Sequence, residues 1–94
     1  MDCFKADGVY KRVGDDAHLY MCKVSHNMAK LIEYRVCGCK YVRTGNQYFL
    51  DLFTTELNTF KTYMINPNNY EQVGKRNVNF IEDGNALCVG AEKS

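Results

Sequence analysis

Leu31-Ile32-Glu33-Tyr34-Arg35-Val36-Cys37-Gly38-Cys39-Lys40-Tyr41-Val42-Arg43-Thr44-Gly45-Asn46 is the stretch on which the fold turns. Ile32, Tyr34 and Val36 share one phase of a two-residue alternation, while Cys39 and Tyr41 fall on the opposite phase. Alternation at period two marks a half-buried strand. A glycine where the phase slips reads as a β-bulge or a sharp bend, so Leu31 to Val42 is expected to be one long strand bent at Gly38. Bent strands of this kind turn the corners of small closed barrels. Thr44-Gly45-Asn46 then reads as the turn that ends it.

Working outward, the same alternation recurs in short runs closed by turn residues. Val9 to Val13 ends at Gly14-Asp15-Asp16, and Leu19 to Val24 ends at Ser25-His26-Asn27. Tyr48 to Phe53 follows, then Val78 to Ile81, Asp83-Gly84-Asn85, and Leu87 to Val89. The expected fold class is mainly β, α+β at most: a small bent antiparallel sheet or SH3-like barrel of five to six strands. Leu57, Phe60, Met64 and Ile65 keep helical spacing, which places one short helix near 55–65, stopped by Asn66-Pro67.

Ninety-four residues with 46% hydrophobic and 13% aromatic content suffice for one core, so residues 1–94 are expected to form a single compact domain. A net charge of +1 argues against a dedicated duplex-DNA binder, whose footprint is strongly basic. The charge is nevertheless unevenly placed. Lys30, Arg35, Lys40 and Arg43 face only Glu33 between residues 30 and 43, and the next segment is acidic. No apolar run reaches the ~18–20 residues of a membrane helix. Five cysteines without regular spacing or a secretory leader predict reduced thiols and a cytoplasmic protein.

Reactive constellations are thin. His18, Cys22, His26, Cys37 and Cys39 are zinc-ligand types, but Cys37-x-Cys39 is too tight for the loop that wraps a zinc ion. Those cysteines read as small buried hydrophobes, with no metal and no cofactor expected. Cys22 and His26 stand four apart on a strand, too far for a thiolate–imidazole pair. Asp15-Asp16 and Glu82-Asp83 sit in turn signals beside glycines, where acids serve the backbone. A non-enzymatic protein is therefore expected.

The residues left to carry function are surface-type ones. Lys30, Tyr34, Arg35, Lys40, Tyr41 and Arg43 form an aromatic and cationic band, and Asn68, Asn69 and Tyr70 lie in an Asn-Pro loop. Tyrosine and arginine anchor protein interfaces, so the leading expectation is a protein–protein interaction module of inhibitor or adaptor type. The same band supports a single-stranded nucleic acid or RNA binding reading, by stacking and phosphate tracking. A small-ligand or nucleotide-sequestering role is the third. An open edge strand would also let two copies pair as a homodimer.

The order Gly8-x-Tyr10-Lys11, a hairpin, Glu33-Tyr34-Arg35, Tyr41-Val42-Arg43 and Phe49 resembles small SH3-like bacterial domains over about half the chain. The size and self-contained build also resemble small phage or mobile-element proteins that block a host factor.

Overall fold

A computed structural model of the chain describes residues 4–25, 28–51 and 67–90. Seven strands form one antiparallel sheet: β1 (Gly8–Arg12), β2 (His18–Ser25), β3 (Met28–Cys37), β4 (Lys40–Asp51), β5 (Tyr70–Lys75), β6 (Phe80–Asp83) and β7 (Ala86–Val89). A 3-10 turn, Pro67–Asn69, leads into β5. The expected mainly β class holds, with seven strands in place of five or six. The helix expected near 55–65 lies outside the described residues. Among the described residues no helix is long and apolar enough to cross a membrane.

Strand order explains the shape. The sheet runs β5-β1-β2-β3-β4-β7-β6, so consecutive strands β5 and β6 occupy opposite edges. Laid flat, six inter-strand spacings would separate those edges by about 29 Å. Only Arg76–Asn79 link them, and such a link spans at most about 18 Å. The sheet must curl. It does so into a half-barrel whose edges meet at the Arg76↔Phe80 bridge.

Curling gives the sheet an inside and an outside, each with its own core. Val9, Leu19, Met21, Ile32, Tyr34, Phe80 and Leu87 form the inner cluster. It joins β1 to β6, strands far apart in sheet order, which only a concave face can do. On the outside, Phe4, Tyr10, Tyr20, Cys22, Ala29, Leu31, Tyr48 and Tyr70 cluster on adjacent strands. Here Phe4 meets Tyr10 and Tyr70 edge-on, with centroids at 4.9 and 5.4 Å, the arrangement that ring quadrupoles favour.

Two polar features fasten the curl. Glu82 of β6 accepts from Tyr34 Oη at 2.5 Å and Lys23 Nζ at 3.3 Å, and also from Arg43. Lys23 lies on β2, so this carboxylate ties the far edge back across the concave face. Gly74 does the rest. A Cβ there would stand 2.5 Å from Phe80 Cε2, so only glycine lets the β6 ring close against β5.

The two glycines of the opening stretch exchange roles. Gly38 makes a two-residue hairpin turn with Cys39, pairing Cys37 with Lys40. Its φ of +64°, with no positive φ at Cys39, is the type II′ pattern. Gly45, at φ +96°, sits inside β4 in a bulge where Thr44–Asn46 face the single residue Glu33. The expected bend is thus a turn and the expected turn a bulge. A two-residue turn pairs residues of opposite parity, so it produces the same phase slip as a bend.

β5 is the strand that alternation does not reveal, and Tyr70, expected in a loop, is its first residue and is buried. It is a guarded edge. Val73 bulges between Gln72 and Gly74 in its pairing with β1, and the Gln72 amide donates to the Gly74 carbonyl at 3.3 Å. Bulges and capped carbonyls discourage strand addition.

Gly74→Ala should cost about 1–3 kcal/mol, the range for overpacking, read as a lower urea midpoint. Glu82→Gln leaves Arg43 and Lys23 without their shared anion. Since both cations are partly exposed, the loss should be about 1–2 kcal/mol. Burial opposes the Glu82 charge, but its hydrogen bonds outweigh this and bring its pKa from 4.5 down to about 2. The stabilisation is therefore full above about pH 4.5 and lost as pH falls toward 2. Urea midpoints across that window should fall less steeply in Glu82→Gln, with Glu33 keeping part of the slope.

Candidate functional site

The β3–β4 turn gathers some of the expected site residues and separates others. Arg35 lies opposite Val42, Val36 opposite Tyr41, and Cys37 opposite Lys40. Strand alternation then divides them between faces. Arg35 and Lys40 stand on the outer face and are exposed, whereas Tyr41 and Arg43 belong to the inner one. Arg43 is engaged there, donating to Tyr34 Oη at 3.2 Å and to Glu82, with its guanidinium 5.8 Å from the Tyr34 ring centre.

Tyr34 itself is 0% exposed. Burial, with its bond to Glu82 next, pushes its phenol up to about 12, so the ring is core rather than a stacking platform. Lys30 sits beside Lys23 and Phe49, about 17 Å along β3 from Arg35. Asn68 and Asn69 are exposed in the 3-10 turn, where the Asn69 carbonyl accepts from Val13 N–H at 2.7 Å. Tyr70 packs into the outer core, and burial pushes its phenol up to about 12. The continuous band expected from sequence is thus a hairpin-end pair, Arg35 and Lys40, with its other members dispersed. Among the described residues neither of these two cations has a carboxylate partner.

Beside them runs a groove. One part, about 320 Å³, is lined by Arg35, Cys37, Val42, Arg43 and Thr44. The next, about 370 Å³, continues past Thr44 to Asn46, Gln47 and Asn85. It exists because β7 pairs with β4 only over Lys40–Val42. The Asn85 carbonyl takes the Arg43 N–H at 2.7 Å, and from Thr44 onward no described strand flanks β4 on that side. The bulge forming the groove wall is held by a buried acid. Glu33 accepts from Thr44 Oγ1 at 2.7 Å, Asn46 Nδ2 at 2.9 Å and Tyr20 Oη at 3.0 Å. Burial opposes its charge, but these three donors prevail and hold the carboxyl below its usual range.

A second cleft, about 280 Å³, opens where the sheet edges converge. Leu19, Tyr41, Val73 and Phe80 make its apolar walls, with Lys11, Asp16 and His18 at the rim. His18 Nδ1 lies 3.0 Å from Asp15 Oδ2, while Asp15 Oδ1 accepts from Ala17 N–H at 2.8 Å. Burial works against the Asp15 charge, yet these bonds hold its carboxyl below the usual range. Lys11 is held by Asp16 at 2.6 Å. Asp15 does serve the backbone as its turn position suggests. Its second oxygen orients His18, and Asp15-x-x-His18 is the spacing that carries this pair.

Cys22 and Cys37 are not brought together, and His26 lies outside the described residues. Cys22 is buried in the middle of β2, level with Leu31, and Cys37 lies about 20 Å further along β3. Among the described residues no three His, Cys, Asp or Glu side chains converge to hold a metal ion. Comparisons with family models, with curated proteins and with solved structures found no match. The reading of the site therefore rests on its chemistry alone.

Thiol accessibility follows from these placements. Burial, with Asp7 nearby, pushes the Cys22 thiol up to about 12, while Cys37 and Cys39 are exposed. With an aromatic disulfide reagent at pH 8, mass mapping should find Cys37 and Cys39 modified first and Cys22 only after unfolding.

Proposed function

We propose that this is a non-enzymatic binding protein, of inhibitor or adaptor type, that engages an extended acidic segment of a partner protein along the groove beside β4. The observation that carries this reading is the pair Arg35 and Lys40, both exposed and, among the described residues, without carboxylate partners, with Arg35 lining that groove. Cations left uncompensated favour an acidic partner and speed its approach. Further along, Asn46, Gln47 and Asn85 line the groove. A primary amide offers a donor and an acceptor together, which suits the peptide groups of an extended chain. The side of β4 that no described strand flanks adds the backbone groups that strand-type recognition uses.

Nucleic-acid binding is the second reading, and the burial of Tyr10, Tyr20, Tyr34 and Tyr70 counts against it. Rings inside a core do not stack on bases.

The test is selection from a displayed library of random linear peptides, with oligo(dT) and oligo(U) measured alongside. Asp- and Glu-rich peptides should be enriched, with affinity falling as salt rises. Arg35→Glu with Lys40→Glu should weaken the selected peptides by about tenfold or more, near 1.4 kcal/mol. Lys30→Glu should leave them unchanged. Enrichment without acidic bias, undiminished binding by the double variant, or preference for the oligonucleotides would each overturn the proposal.

A further inference from the structure

The groove beside β4 has a nucleophile in its wall. Cys37 lines its first part together with Arg35, and both are exposed. Strand register sets what surrounds this thiol on the outer face. Arg35 stands one two-residue step back along β3, about 7 Å away. Lys40 is the cross-strand partner of Cys37, with Cβ atoms about 5 Å apart. Beyond Lys40 in the same row comes Cys88 of β7. Two thiols and two cations thus share one patch. The acids that the register brings near are engaged or distant. Glu33, a further step back on that face, accepts from Tyr20, Thr44 and Asn46. Asp15 is held by His18, the cross-strand partner of Arg35. Asp83 stands three strand spacings from Arg35, about 14 Å.

This placement decides what the thiol can react with. Cys37 and Cys88 are two strand spacings apart, about 9.5 Å. That exceeds the ~7 Å at which two cysteines can be bridged, so Cys37 does not pair with Cys88 and takes its partner from outside. The two cations, which no described carboxylate pairs, select that partner by charge. They draw in an anion, and each can then hold a carboxylate by charge-assisted hydrogen bonds. The space suffices, since about 320 Å³ lies within the ~300–1,000 Å³ of small-ligand sites. We infer that Cys37 is a thiol–disulfide exchange site for a small disulfide bearing carboxylates, of the glutathione class. Its thiolate attacks one sulfur of that disulfide, and the S–S bond breaks as the Cys37 S–S bond forms. The other half leaves as a thiolate and takes up the proton that Cys37 gave to solvent. Cys37 is oxidised and the departing half is reduced, so no other oxidant enters. The site rests on the cation pair and not on the peptide reading of the groove, and its readout, an adduct on one cysteine, is separate from peptide binding.

To test this, the full chain is held at pH 8 and low salt with glutathione and cysteamine, equal in concentration and each present as thiol and disulfide. An anionic and a cationic partner then compete for the same thiol. After acid quenching, fragment-ion mass mapping reads the two adducts at each cysteine. The same mixture acting on the chain unfolded in urea supplies the reference ratio. In the folded protein, glutathione over cysteamine at Cys37 should exceed that reference by about fivefold or more. The excess should vanish in 1 M sodium chloride, where the Debye length is ~3 Å. Cys39, exposed but absent from the groove wall, should show a smaller excess, and Arg35→Gln should cut the excess at Cys37 about twofold. Any of five results would overturn the site: a folded ratio at Cys37 equal to the reference, an excess that survives the salt, an equal excess at Cys39, an internal Cys37–Cys39 disulfide in place of the adducts, or no change in Arg35→Gln. The unaltered protein alone decides the first four, so none of those depends on a variant folding.

Discussion

Four residues between opposite edges of one sheet govern this molecule. Because Arg76–Asn79 must carry the chain from β5 to β6, a flat arrangement is out of reach and the sheet closes on itself. Much of what is unusual in the interior answers that demand. A glycine at position 74 yields its side-chain volume to Phe80, and the Glu82 carboxylate on β6 is met by donors from β2, β3 and β4. A pure hydrocarbon interior would have closed the curl as well. The ionic cluster adds direction, since Glu82 finds all its partners in only one register of the far edge.

Most of the sheet was legible because β1, β2, β6 and β7 show alternation bounded by turn residues. β5 was hidden for a physical reason. Its segment Tyr70-Glu71-Gln72-Val73-Gly74-Lys75 is an edge strand with a bulge, and only Tyr70 is buried. Such a strand needs no apolar stripe, so it has none to show. The exchange between Gly38 and Gly45 has a different origin. Both backbones adopt positive φ, and a glycine reports that need without saying whether the chain reverses there or merely bulges.

At the candidate site, charge was readable and location was not. Arg35 and Lys40 could be named as cations from the sequence, but their meeting on one face depends on the parity set by the hairpin turn. Tyr34 shares their stretch and faces the opposite way into the core. Likewise the amides of Asn46 and Asn85 are thirty-nine positions apart, and the short reach of β7 along β4 brings them to one groove. The Asp15–His18 pair is local in sequence, yet its cleft draws walls from β4, β5 and β6. Local spacing could name the pair but not the cavity.

The pairing of β1 with β5 joins residues fifty-eight or more positions apart, Gly8 with Lys75 and Arg12 with Tyr70 among them. The hairpins β2–β3, β3–β4 and β6–β7 close through short loops and can form early. The β1–β5 ladder must wait for a long loop to close before its contacts repay the entropy. That ladder therefore carries the largest loop-closure cost among the described strand pairs, and until it forms β1 lacks its β5 neighbour.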